Sequence, residues 1–177
     1  MGKRSDFDRN PRDFYPTPWE AVVPLFPHLP LELKFWEPCA GDKALVDHID
    51  SVFFGSCGMA SDIDPQHPEV TCCDALAIDG IYAPGMTHII TNPPWNRKIL
   101  HPMIEKFSAL RPTWLLFDAD WMHTKQSVPY QVYLRKVVSV GRVKWIPDSK
   151  MTGKDNAAWY LFDRNDPGPT EFVGPQV

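Results

Sequence analysis

The chain has four cysteines in 177 residues, and no two of them are spaced as C-x-x-C. Cys39, Cys57, Cys72 and Cys73 therefore lack the spacing of a zinc site or a redox dithiol. Cys72 and Cys73 are adjacent, so on a strand they point to opposite faces. They read as reduced, mostly buried thiols of a cytoplasmic protein. The six histidines show no ligand spacing either, and no metal is expected. No apolar run approaches the ~20 residues of a membrane-spanning helix. The start, Met1-Gly-Lys-Arg-Ser-Asp6, is charged with no apolar stretch after it, which speaks against a secretory signal. Positive charge is not in excess: 18 Lys and Arg stand against 22 Asp and Glu, a net −4. A protein that grips a polyanion through its overall charge is excluded, and any such contact must come from a local patch. Internal repeats are absent.

Proline is abundant, 19 residues, roughly twice the usual share of about 5%. Loops are therefore stiff and long helices few. A hydrophobic content of 44% with 23% charge describes a soluble globular chain of one domain. Residues 1–12 read as a flexible arm, 13–162 as the domain, and 163–177 as a Pro/Gly-rich tail, extended or disordered. Thr17, Pro18 and Glu20 predict a capping box with proline at the first helical position. Leu33–Trp36 predicts a strand, followed by a small-residue turn and a helix carrying Leu45, Val46 and Ile49. Further strands end at Asp62, Asp74, Asn92 and Asp118. Ile99, Met103, Ile104, Phe107 and Leu110 recur at helical spacing. Two last strands, Val137–Trp145 and Ala157–Phe162, have no room for a helix between them and predict an antiparallel pair. The fold class is α/β, a doubly wound, mostly parallel seven-stranded sheet with that pair at its end.

Asn92-Pro93-Pro94-Trp95 follows the apolar run Thr87–Thr91. Two prolines cannot continue a ladder, so they make a rigid turn at the carboxyl end of a strand. That edge is where a parallel sheet places its ligands. The Asn92 side chain and the Pro93 backbone each supply a carbonyl acceptor, and Trp95 supplies a flat face. Together they describe a socket for the exocyclic amino group of a base. Glu37, Asp62 and Asp74 end neighbouring strands along the same edge. A carboxylate after the second strand can accept from both hydroxyls of a ribose, and one after the third can accept from an adenine amino group. The Ala40-Gly41 turn permits close backbone approach.

In this order the motifs resemble those of the class I S-adenosylmethionine-dependent methyltransferases. The resemblance is to the DNA adenine-N6 methyltransferases and their small phage-borne relatives, and the motif order is similar to the gamma arrangement. It covers residues 13–162 and implies the Rossmann-like methyltransferase fold. It implies S-adenosyl-L-methionine at Tyr15, Thr17, Pro18, Glu37, Pro38, Cys39, Ala40, Gly41, Asp62, Ile63, Asp74, Ala75 and Asn92. It implies catalysis by Asn92, Pro93, Pro94 and Trp95, with Trp95, Trp121 and Lys150 against the substrate. The sequence departs from the family at Lys43, where a second glycine of the first motif would fall. Lysine tolerates positive φ poorly.

The activity implied is methyl transfer to adenine in DNA, with low sequence specificity, in the cytoplasm of a bacterial or phage-infected cell. The base would be single-stranded or flipped. Specificity would come from the loops at 120–134 and 146–156, the arm, or a second subunit, as in a homodimer. Cytosine N4, RNA and a protein glutamine amide are the alternative substrates. A catalytically silent, methyltransferase-like binding subunit is the alternative of another class. Asp118, Asp120 and His123 read as solvated loop residues, and Arg135, Lys136, Arg142 and Lys144 as a solvated charged face.

Overall fold

A computed structural model describes residues 14–78, 85–146 and 153–175. The predicted arm at 1–12, Lys150 and most of the 146–156 loop lie outside the described residues.

Eight strands form one sheet in the order β3-β2-β1-β4-β5-β7-β6-β8. They are β1 (Phe35–Glu37), β2 (Cys57–Asp62), β3 (Thr71–Cys72), β4 (His88–Thr91), β5 (Thr113–Asp118), β6 (Leu134–Arg142), β7 (Asn156–Phe162) and β8 (Glu171–Val173). Strands β1 to β5 pair in parallel, whereas β7 is antiparallel to both β5 and β6. The predicted antiparallel pair is therefore present. Gly141, at φ 88, sits in it where the register slips, so the glycine that interrupts the apolar run is a bulge inside the strand.

The tail corrects one expectation. Seven strands were predicted, with 163–177 extended or disordered, but Glu171–Val173 adds an eighth strand parallel to β6. Polar contacts hold it there: Lys136 pairs with Glu171 at 2.8 Å, and Thr170 Oγ1 donates to the Leu134 carbonyl at 2.8 Å. Three residues between prolines gave no periodic signal; their partner strand supplies the order.

Four helices flank the sheet: α1 (Trp19–Val22), α2 (Ala44–Phe53), α3 (Arg97–Leu110) and α4 (Val128–Gln131). Strand β5 shows why there are two layers. Trp114 and Leu116 face a core with Leu25, Leu45 and Ile49, while Leu115 and Phe117 face another with Leu100, Ile104 and Trp121. That is the period-two alternation of a strand buried on both sides. Helix α3 opens at Asn96, whose side chain accepts from the Lys98 amide at 3.0 Å. It continues past Pro102, which removes one rung of its hydrogen-bond ladder.

From β1 the chain moves outward to β2 and β3 on one side, and from the neighbouring parallel β4 to β5 on the other, so the strand order reverses between them. In open α/β sheets the crevice outside such a reversal is the ligand site.

Candidate active site

A cavity of about 520 Å³ opens at that reversal. Its lining brings together Tyr15, Thr17, Glu37, Pro38, Cys39, Ala40, Gly41, Asp62, Ile63, Asp74, Ala75, Asn92 and Pro94, all singled out from the sequence. Pro18, Pro93 and Trp95 stand outside the lining. Phe14, Asp42, Asp64, Gln66, Ile99 and Met103 also line it, and the sequence reading missed them. Ile99 and Met103 were readable only as an apolar helix face, and that face covers the cavity.

The first turn is held from two directions. Asp62 Oδ2 accepts from the Gly41 amide at 2.9 Å, while its Oδ1 accepts from the Asp64 amide at 2.8 Å. Asp62 thus ties the loop after β1 to the loop after β2. Gly41 has φ 48, and a Cβ there would lie 2.5 Å from the Phe14 ring. Glycine is needed at this position for both conformation and space. Two residues on, Lys43 has φ 75 and ψ 7. The backbone demands a left-handed residue where the sequence departs from the glycine pattern, and a lysine meets it. Its ammonium pairs with Glu69, and with Asp47 at 3.4 Å.

Glu37 is 1% exposed, and its Oε2 has no hydrogen-bond partner among the described residues. Burial, with Asp62 and Asp42 nearby, holds its carboxyl well above the usual carboxylate range. Burial also pushes the Cys39 thiol up, so it is no nucleophile. Asp74 Oδ1 accepts from the Leu76 amide at 2.9 Å. The Lys106 ammonium of α3 donates to the carbonyls of Leu76, at 2.7 Å, and Ile78. That strut fixes the wall formed by Asp74 to Leu76. Five carboxyls line the cavity (Glu37, Asp42, Asp62, Asp64 and Asp74), and the described lining residues include no Lys, Arg or His.

Thr17 corrects the capping box. Pro18 is the N-cap of α1 and no side chain caps that helix; buried Thr17 instead accepts from Asn92 Nδ2 at 3.2 Å. Asn92 Oδ1 faces Trp95 Nε1 at 3.4 Å. An indole N–H can only donate, so the amide oxygen must be on that side, with lone-pair capacity left for another donor. Trp95 is half-buried and meets Trp145 edge-to-face, with ring centroids 5.8 Å apart and planes at 87°. Trp145, three residues past the end of β6 although the sequence places it in that strand, is a second aromatic beside the turn that sequence spacing did not reveal.

Trp121 does not meet its expected role against a substrate. It is 2% exposed, ringed by Phe117, Tyr160 and Phe162, and its Nε1 donates to His101 Nε2 at 3.0 Å. The apolar run of β5 continues into a one-turn helix that carries this ring inward. Lys150 lies outside the described residues. No group of three or more His, Cys, Asp or Glu among the described residues could hold a metal ion. No helix among them is long and apolar enough to cross a membrane.

This architecture is a Rossmann-like methyltransferase fold. PH1948 from Pyrococcus horikoshii, a proposed RNA methyltransferase, matches it at a TM-score of 0.57 with 14% identity, over 87% of this chain and 89% of that one. A dimethyladenosine transferase from Plasmodium falciparum matches at 0.54 and 13%, over 86% of this chain and 63% of that one. The 23S rRNA methyltransferase ErmE matches at 0.50 and 15%, over 84% and 68%. No protein-family model and no curated protein sequence matches the chain.

Proposed function

We propose that the chain transfers a methyl group from S-adenosyl-L-methionine to the exocyclic amino group of adenine in DNA. The observation that carries this reading is Asn92, which lines the cavity and presents an amide oxygen at its edge, clamped between Thr17 and Trp95. The cavity chemistry fits the cofactor. Five carboxyls and no lining cation disfavour a phosphate-bearing nucleotide and favour a nucleoside that carries positive charge. S-adenosyl-L-methionine is such a molecule, and when bound it supplies an electrophilic methyl group on a sulfonium. Glu37, with its unpartnered buried oxygen, would hold the ammonium. Asp62 would hold the ribose hydroxyls, since each carboxylate oxygen can accept a second bond. Asp74 and Ala75 would hold the adenine of the cofactor.

The chain's own part is positioning. Asn92 Oδ1 and the Pro93 carbonyl accept the two hydrogens of the target amine, which turns its lone pair out of conjugation. Trp95 offers a stacking face, a contact worth ~1–3 kcal/mol per base. As the nitrogen gains positive charge those acceptors bind its hydrogens more strongly, so they favour the transition state over the ground state. Asn92 cannot take the proton that then leaves, which passes to water. RNA is the second reading, favoured by the names of the solved neighbours. Single-turnover reactions on matched DNA and RNA strands, digested and read by mass spectrometry, test both. N6-methyladenine in DNA is expected. Its absence from every strand, with cofactor bound, would refute the enzymatic reading.

A further inference from the structure

The cations of this chain divide by sheet edge. At the edge where β1 to β5 begin, every described Lys and Arg is engaged. Lys34 donates to the Gly55 carbonyl, Arg111 to the Met86 carbonyl, Arg135 to the Asp166 carbonyl and Arg164 to Ser108, while Lys136 pairs with Glu171. At the opposite edge Lys43, after β1, is paired, but beyond β4 the pattern inverts. Arg97 and Lys98 open α3 just after Trp95 and the cap residue Asn96, and Arg142, Lys144 and Lys154 lie where the β6–β7 hairpin reaches the same edge. None of these five makes a side-chain hydrogen bond or ion pair with a described residue. Arg97, Lys98, Arg142 and Lys154 are exposed, and Lys144 is half-buried. Cations with no partner among the described residues, beside an acceptor-lined aromatic turn, are placed to meet anions.

We propose that this lip is a binding surface for the phosphodiester backbone of a single strand of nucleic acid. Arg97 and Lys98 take phosphate on one side of the target nucleotide, and Arg142, Lys144 and Lys154 take it on the other. The strand order supports two groups rather than one patch. β5 lies between β4 and the β6–β7 hairpin, so Asp118, at the end of β5, stands between Arg97 and Lys98 on one side and the hairpin cations on the other. That carboxylate repels phosphate between the two sets, beside the turn where the base must enter. The Trp95–Trp145 contact ties the hairpin to the catalytic turn and keeps the two sets at a fixed separation. A single strand is the partner because the socket accepts one base, and unpairing that base from a duplex costs a few kcal/mol. This inference rests on the proposed base-methylating function for its orientation, though its test needs no turnover.

The experiment is fluorescence-anisotropy titration of a labelled adenine-containing single strand across a salt series, without cofactor. The double variants Arg97→Gln/Lys98→Gln and Lys144→Gln/Lys154→Gln are compared with Lys34→Gln, which loses a charge at the far edge. Each contact to a single strand contributes about −0.7 to the slope of log affinity against log salt. Each double variant should therefore flatten the slope by about 1.4, and Lys34→Gln should leave it unchanged. Equal slopes in all four proteins would overturn the assignment, as would tighter binding of the matched duplex than of the single strand. A protein that shows these slopes but transfers no methyl group would sink the enzymatic reading and leave the surface standing.

Discussion

Thr17 Oγ1 receives the Asn92 Nδ2–H at 3.2 Å, across 75 positions of sequence. The bond orients the amide so that its oxygen points to Trp95 and the edge of the cavity. Thr17 therefore positions the group proposed to bind the target amine. Asn92→Ala should fold, keep most cofactor affinity and lose about 10²–10³ in turnover, the usual cost of one preorganised acceptor. Thr17→Val, which keeps the shape but loses the acceptor, should lower kcat by about tenfold, or ~1.4 kcal/mol. Thr17→Ser should restore it. Single-turnover rates measured beside cofactor affinity check the pair; wild-type turnover in Asn92→Ala would reduce the turn to a stiff loop.

Asp62 should matter through two routes, its backbone bonds to Gly41 and Asp64 and its proposed bond to ribose. Asp62→Ala removes a charged acceptor and should weaken cofactor binding by more than ~1.5 kcal/mol. Asp62→Asn keeps one acceptor oxygen and should fall between. Calorimetry giving equal affinity for wild type and Asp62→Ala would rule out this assignment.

Glu37 links pH to both stability and binding. Burial raises its folded-state value above that of the unfolded chain. Its contribution to stability is thus fully present below the ordinary carboxylate range and declines as pH rises through the raised value. Glu37→Gln stays neutral, so urea denaturation should find it more stable than wild type towards the top of that range. A cationic ligand prefers the ionised carboxylate, so wild-type cofactor affinity should climb with pH over the same interval and Glu37→Gln should lose the climb. A flat affinity profile in wild type would exclude Glu37 from the cationic contact.

Lys43 holds a left-handed conformation at φ 75 that costs a non-glycine residue roughly 1–2 kcal/mol. Its ion pairs are to exposed carboxylates, where solvent screens them, and return little of that cost. Lys43→Gly should accordingly be as stable as wild type or up to ~1 kcal/mol more so. Lys43→Val should be clearly destabilised. Denaturant midpoints for the two variants decide this.

Trp95→Ala should raise KM for the strand more than it lowers kcat, and Trp95→Phe should recover part of the loss because a stacking face survives. If Trp95→Ala left capture of the strand intact, the stacking role would pass to Trp145.

The turn at Asn92 and the carboxylates at Glu37, Asp62 and Asp74 were readable because each follows an apolar run, and a parallel sheet aligns such ends without knowledge of the whole fold. Glu37, Asp62, Asp74 and Asn92 on the cavity lining followed from that, and the rest of the predicted lining from the resemblance in motif order. Thr17 was misread because a threonine before proline and three residues ahead of glutamate fits a capping box locally. Its true partner lies on another strand, which no local pattern encodes. Trp121 was ambiguous for a related reason: an aromatic just past a strand end can turn outward or inward, and here Phe117, Tyr160 and Phe162 decide it. Strand β8 escaped notice because three residues carry too little periodicity, and Trp145 because its neighbour Trp95 is 50 positions away.

Pro102 gives α3 a property that neither of its ends shows alone. The first turn follows its cap Asn96 out of the Asn92–Trp95 turn, and the third holds the cavity wall through Lys106. With no amide at Pro102, the Lys98 carbonyl has lost its ladder partner, and the joint between those turns is the softest point of the rod. A base seated against Trp95, as proposed, would press on the first turn, which the missing rung would let tilt while the strut at Lys106 stays seated. On the proposed function the helix would then act as a mechanical buffer, letting the turn adapt to a base without loosening the cavity wall at Leu76 and Ile78.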